Sequence, residues 1–419
     1  MTETSAHTPR CVVIGAGIVG ASCAWHLVRS GAKVTLVDPE PPGTMTSFGN
    51  CGCVSPSAVI PFSYPGVTRQ VPKWLLDPEG PLFIRWRHLP SLAPWLYRFW
   101  RASNAETLRH VVHSEHQLMQ HVIADYDQVL GEIGAADLKR SRGVIILYDT
   151  EAEFEAVAWQ YRMKSELGLE WRRLSAAELA EREPHLRLAA GGVAVYMPDW
   201  DHLVDPGAVT ARIAEAALAD GAEWVNEPVT AVQPGEKSAT VTTATGRRIE
   251  ADRVVLAAGV WSGRLSAPID GPVPLEAKRG YHSMVANPGL QLNHPVQSSS
   301  RFFVMTPMAE GLRIAGTAEF ASIDAEPDYR RARVLLKHLS HYVPGVRIDG
   351  VTEWMGRRPM TPDSLPVIGP SPSRRSVVYA FGHGHYGLTQ GPTTGRIVAD
   401  LVFGRDPGID LAPYRYDRF

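Results

Sequence analysis

The chain has 419 residues, 44% of them hydrophobic and 21% charged, enough to bury a large core and to divide into two or three domains. Lys plus Arg (42) nearly balance Asp plus Glu (44), and no long single-sign run occurs. That excludes the broad basic footprint of a nucleic-acid binder.

The opening "MTETSAHTPR" lacks the apolar core of a secretory signal. The four cysteines all fall within the first 53 residues, whereas a secreted disulfide framework would spread its bridges, so a reducing compartment is expected. Residues 11–28, "CVVIGAGIVGASCAWHLV", mimic a membrane span, but Gly15, Gly17 and Gly20 would weaken a helix running through them. A strand over 12–14, a G-x-G-x-x-G turn over 15–20 and a helix over 21–29 ended by Gly31 explain the stretch better. "KVTLVD" then makes a second strand closing at Asp38.

In that arrangement Gly15 permits the tight turn, and Gly17 lets backbone N–H groups approach a pyrophosphate. Gly20 lets helix and strand pack, which aims the helix N-terminus at the phosphates. Asp38 is placed to accept from the adenosine ribose hydroxyls. The acid disfavours a 2′-phosphate but does not separate NAD from FAD. The loop that follows, 39–57, is rich in Pro, Gly and Ser, and its length suits the larger flavin cofactor.

Within this loop Cys51 and Cys53 raise a metal clip or a redox pair as alternatives. Two alternating thiols make a poor clip, and His383 and His385 are the only further ligands in view, so no metal is expected. One thiol is expected to face the cofactor and the other protein, with Cys53 nearer the substrate. The loop backbone, not its sulfur, is expected to matter.

Residues 86–103, "WRHLPSLAPWLYRFWRAS", read as an amphipathic helix with apolar residues inward and arginines in water, broken by Pro90 and Pro94. The alternative is an interfacial membrane patch. A helix is expected over 151–168 and strands over 143–149, 281–286, 302–307 and 311–320, which together build a mostly antiparallel sheet. A strand over 254–256 runs into Ala257-Ala258-Gly259. Near the C-terminus a glycine-rich turn feeds a helix beginning near Leu388, whose N-terminus favours negative charge on a ligand.

"TSFGN" with "VSP" at 46–56, "KWLLDPEGPL" at 73–82, "RGY" at 279–281, "GRRPMTPDSLPVIG" at 356–369 and "GHGHYG" at 382–387 together resemble the D-amino-acid oxidase family of flavoproteins. The likeness is strongest to its bacterial D-amino-acid dehydrogenase branch and spans essentially the whole chain. It implies an α/β fold: a Rossmann-type FAD-binding domain from 9–85, 190–265 and 346–415, and a substrate domain from 86–189 and 266–345. By the same resemblance Gly15, Gly17, Gly20 and Asp38 hold the FAD nucleotide, and Ser47 and Asn50 lie along the cofactor. Val229 offers its backbone to adenine, and Gly259 and Trp261 support the middle. Gly384, Gly387, Leu388 and Thr389 reach the flavin edge. Arg358 clamps the substrate carboxylate, while Tyr281 either joins it or is a core tyrosine.

The implied reaction is FAD-dependent oxidation of the Cα–N bond of a D-amino acid, with Cα–H directed at flavin N5 and the imine hydrolysed in water. Whether the side chain is a proline-type ring stays open. Electrons are expected to pass to a quinone or another carrier. Two alternatives stand beside this: an oxygen-using oxidase of glycine, sarcosine or another secondary amine, and a flavin-binding redox sensor without turnover. The expected location is the cytoplasm, with peripheral contact at the inner face of the cell membrane left open.

Overall fold

The computed structural model describes residues 8–419; the first seven residues of the opening segment lie outside it. Short runs apolar on both faces, "CVVI", "RVVL" and "VVYAF", build a parallel sheet, because such strands must be covered on both sides. Its order is Glu223–Val225, Lys33–Val37, Arg10–Ile14, Arg253–Leu256, Val377–Phe381 and Val367–Pro370, the last strand antiparallel. Helices Ile18–Arg29, Pro206–Ala219 and Gly387–Phe403 cover one face in a core that includes Trp25, Leu36 and Val398. A three-stranded sheet over Val229–Pro234, Ala239–Thr243 and Arg248–Ala251 covers the other face.

The first helix starts at Ile18, three residues earlier than the sequence pattern indicates. Gly17 is still extended, so the helix begins as soon as the turn ends, and Gly20 lies inside it.

A nine-stranded sheet forms the second layer system. Val351–Met360, Glu276–Val285, Gly311–Phe320, Phe303–Met308 and Val296–Ser298 run antiparallel in that order. Val144–Tyr148, Val193–Met197 and Arg172–Leu174 continue it, and Leu82–Ile84 lies beside Gly311–Phe320. Only the contacts of Val296–Ser298 with Val144–Tyr148 and of Leu82–Ile84 with Gly311–Phe320 are parallel. The expected strand 281–286 is thus one half of a ten-residue strand, and the expected strands 302–307 and 311–320 pair as a hairpin.

Segment boundaries move as a result. Leu82–Ile84, Val193–Met197 and Val351–Met360, placed by sequence with the nucleotide fold, hydrogen-bond into the nine-stranded sheet. Helices Ala105–Met119 and Val122–Glu132, placed with the substrate domain, pack on the nucleotide side: Met119, Tyr126 and Leu130 share its core. Composition marks a strand locally; its hydrogen-bond partner is set by distant chain.

The 86–103 stretch also departs from expectation. The helix Leu89–Ala102 runs unbroken through both prolines. Pro90 occupies the first turn, where no N–H partner is needed, and Pro94 gives up a single bond. Leu92 and Trp95 pack inward, Trp95 stacking on Phe99 at 5.3 Å, whereas Trp86, Tyr97 and Trp100 are 75%, 58% and 60% exposed.

Candidate active site and cofactor cleft

A cavity of about 1780 Å³ runs between the two sheet systems, larger than the roughly 300–1,000 Å³ of an ordinary small-molecule pocket. The C-terminal ends of four parallel strands open into it at Ile14, Val37, Ala257 and Phe381. That is where open α/β sheets bind ligands.

At one end lies the glycine turn. Gly15 has φ +107°, and its N–H donates to the Val37 carbonyl at 2.9 Å. A Cβ there would stand 2.4 Å from the Ala257 carbonyl oxygen, and one on Gly20 would stand 1.8 Å from the Gly15 oxygen. Gly17 meets only the Ser47 hydroxyl, at 3.4 Å, so its missing side chain leaves open space at the helix N-terminus. Ile18 N–H donates to Ser47 Oγ at 2.9 Å, and Ala16 N–H donates to Asp38 Oδ2 at 2.7 Å. Burial holds the Asp38 carboxyl above its usual range, while the N–H groups of Glu40 and Ala16 draw it back toward the ionised form. A glycine cradle closed by backbone, a helix N-terminus and an acid beyond it fit a dinucleotide cofactor.

Gly15, Gly17, Asp38, Ser47, Asn50, Val229, Gly259 and Trp261 all line this cavity, as do Gly384, Gly387 and Leu388 at its far side. Gly384, at φ +54°, donates its N–H to the Pro359 carbonyl at 2.9 Å and leads into the helix from Gly387.

Two residues predicted to bind the cofactor do not reach the cavity. Gly20 acts on helix–strand packing alone. Thr389 is buried, its hydroxyl accepting from Ser55 N–H and donating to the Cys53 carbonyl, both at 3.3 Å. The helix turns that side chain toward the loop, which it pins.

Arg358 lies at the substrate end. Its guanidinium covers Gly280: a Cβ on that glycine would lie 2.1 Å from Arg358 Cζ. Nη1 donates to the Thr317 carbonyl at 3.2 Å, and among the described residues no carboxylate pairs with it. Burial pushes its pKa down to about 10, the Cys51 thiol opposing, which leaves it cationic near neutrality. Arg357, on the other face of the strand, also lines the cavity but is engaged, Nε donating to the Ile323 carbonyl at 2.7 Å and the guanidinium lying 5.9 Å from the Trp261 ring.

Tyr281 does not join Arg358. Its hydroxyl donates to Glu319 Oε2 at 2.5 Å and accepts from Asp328 N–H at 3.0 Å, in a buried group with Arg279. The reason is strand alternation: Gly280 carries the Arg358 face, so its neighbour Tyr281 faces the other side, against Met355 and Ala332. Tyr281 is the core tyrosine of the two readings.

The cysteines are corrected too. Gly52, at φ +79°, turns the chain between them, and the Cys53 thiol lies 3.9 Å from the Cys51 carbonyl oxygen. Cys53 is buried against Val144, Met197 and Trp200, while Cys51 is the one close to Arg358. A hydrogen bond from the Cys53 thiol, then the charges of Arg358 and Arg313, draw the Cys51 thiol below its usual range against its burial. The loop is held by backbone: Arg313 Nη1 donates to the carbonyls of Phe48 (2.9 Å) and Asn50 (2.6 Å), and Asn50 Oδ1 accepts from Gly52 N–H. The double change Cys51→Ser with Cys53→Ser is therefore expected to retain FAD, and metal analysis of the wild type to find no stoichiometric zinc or iron. Loss of flavin together with one bound metal per chain would reverse that view.

Sequence reasoning missed Lys278, Phe62 and Arg313 around this end of the cavity. Lys278 was legible in principle, two residues before Gly280 and so on the same strand face.

The family described as FAD dependent oxidoreductase matches residues 10–401. A D-amino-acid oxidase of Bradyrhizobium diazoefficiens is 38% identical over 421 residues, covering 97% of this chain and 98% of the relative. A D-amino acid dehydrogenase of Paramagnetospirillum magneticum is 35% identical over 426 residues, covering 98% and 99%. Among solved structures, glycine oxidase from Geobacillus kaustophilus superposes with TM-score 0.76 at 23% identity, over 98% of this chain and all of that one (100%), a likeness of fold. With a glycine cradle, a cavity deep enough for a dinucleotide and this similarity over nearly its whole length, the chain belongs to the FAD-dependent oxidoreductases of the D-amino-acid oxidase family.

Proposed function

We propose that the protein oxidatively deaminates a D-amino acid and passes the electrons to a quinone or other carrier. The observation that carries it is Arg358, an arginine without a carboxylate partner, set in the cavity that also holds the nucleotide cradle. A buried cation of this kind is stabilised by an anionic ligand, and the planar fork suits a carboxylate. The curated relatives are named for D-amino-acid oxidation. When bound, FAD supplies the two-electron acceptor. Arg358 fixes the carboxylate and so orients the Cα–H and Cα–N bonds, while Gly280 and Gly356, facing each other across two strands, let the Arg358 guanidinium and the Trp354 ring lie close over the sheet. The imine needs no protein nucleophile to hydrolyse in water. A sensor without turnover needs no such clamp.

The carrier reading draws on the cavity mouth. Helix Val67–Leu76 and the aromatic helix Leu89–Ala102 both line the cavity, and Leu76, Trp86 and Trp100 stand exposed beside Arg69, Arg87 and Arg101. Such a surface suits an anionic lipid interface. Among the described residues no helix is long and apolar enough to cross a membrane.

In an anaerobic screen, D-amino acids are expected to bleach the flavin while L-amino acids do not. In air-saturated buffer the bleached enzyme should form little hydrogen peroxide until a quinone analogue or dye restores turnover. Peroxide matching substrate consumption would place the protein with the oxidases. Sedimentation with anionic vesicles, weakened by the pair Trp86→Ala and Trp100→Ala, tests the surface.

A further inference from the structure

We propose that Lys278 takes the ammonium proton of the substrate held on Arg358, leaving the neutral amine that is oxidised. The inference rests on the amino-acid reading above. Lys278 and Arg358 are directly paired across adjacent antiparallel strands, both line the cavity, and directly opposed residues share one sheet face. A carboxylate on Arg358 therefore brings its α-nitrogen within range of Lys278.

The surroundings of Lys278 suit a base. Its Nζ lies 4.3 Å from the centre of the Phe62 ring, and among the described residues no carboxylate pairs with it. Glu276, two residues earlier on the same face, is engaged by His88 at 3.0 Å. His385 packs at a tilt on Phe62, ring centres 4.2 Å apart, from the turn before the last helix, and among the described residues its buried Nδ1 has no hydrogen-bond partner. Burial, then the charge of Arg358, lower the Lys278 pKa to about 7, so a free lone pair is present near neutrality.

The rivals are weaker. Burial first, then Lys278 and Arg358, hold His385 far below the range in which it would deprotonate an ammonium. The Cys51 thiol is drawn toward its anion by Cys53, Arg358 and Arg313, which lowers its basicity. Asp38 and Glu40 line the nucleotide end.

The step is a proton transfer. One N–H bond of the substrate ammonium breaks, its electron pair stays on the substrate nitrogen, and the proton forms the third N–H bond of the Lys278 ammonium. Charge is conserved, and the proton passes to water after turnover. Because the base is the deprotonated lysine, kcat/KM for flavin reduction rises with pH through about 7. A protonated Lys278 beside Arg358 repels the substrate ammonium instead.

The test uses FAD-loaded enzyme. Lys278→Met and Lys278→Arg should keep FAD, slow flavin reduction roughly 100-fold or more, and move the rising limb to the alkaline range of the free amino acid's own ammonium. Small primary amines added to Lys278→Met should restore part of the rate. Apart from activity, reductive methylation with ¹³C-formaldehyde should give two lysine resonances titrating at depressed pH, those of Lys164 at about 8 and Lys278 at about 7, of which only the latter is absent in Lys278→Arg and shifted by a carboxylate ligand. A Lys278→Arg enzyme within about threefold of wild type with its limb unmoved would overturn the proposal. So would an effect confined to KM for a dicarboxylic amino acid, which would make Lys278 a carboxylate anchor. Wild type inert to every amino acid, with the Lys278 resonance present, would instead fail the functional reading.

Discussion

Replacing Arg358 by alanine is expected to cut kcat/KM for flavin reduction by about thirty- to a thousandfold, a loss of about 2–4 kcal/mol, with FAD content unchanged. The cation is the carboxylate fork, and Arg357 is engaged elsewhere, its Nε on the Ile323 carbonyl and its guanidinium 5.9 Å from the Trp261 ring. Arg357→Ala should therefore stay within about threefold of wild type. Lys at 358 should recover only part of the loss, because a point charge lacks the planar pair of donors. Stability should move the other way. Arg358 is desolvated and makes a single hydrogen bond to Thr317, so removing it relieves a buried charge, and the thermal midpoint should hold or rise. A silent Arg358→Ala beside a damaging Arg357→Ala would move the clamp by one residue.

Gly20→Ala is expected to abolish folding into the FAD-loaded state, costing about 3 kcal/mol or more through overpacking. The new Cβ would fall 1.8 Å from the Gly15 carbonyl oxygen, a backbone atom already held in the turn whose N–H bonds Val37. Neither helix nor strand can yield without opening the parallel sheet. Gly17→Ala separates the two duties of the motif. Its Cβ meets only Ser47 Oγ at 3.4 Å, ordinary contact, so the protein should fold with a near-normal midpoint in the absence of cofactor yet bind FAD weakly. Thermal melts with and without added FAD on both variants read the difference. A Gly20→Ala protein that is yellow and melts like wild type would contradict the packing argument.

The nucleotide half was legible because its determinants are local. A strand, a glycine turn, a helix and Asp38 lie within some thirty residues, and the steric demand on Gly20 comes from the Gly15 backbone inside that unit, although the one on Gly15 comes from the distant Ala257 carbonyl. The resemblance named Arg358 as the clamp, and both Arg357 and Arg358 line the cavity, on opposite faces of one strand. Only the tertiary structure decided which strands share a sheet: Leu82–Ile84, Val193–Met197 and Val351–Met360 crossed to the nine-stranded sheet because hydrogen-bond partners are chosen by distant chain. It alone removed Tyr281 from the clamp, since the face a residue shows depends on which strands cover it, and alternation with Gly280 sends the phenol to Glu319. It alone put Cys51 ahead of Cys53, through the left-handed turn at Gly52. It also paired Lys278 with Arg358, residues eighty apart whose shared face exists only once the two strands are in register.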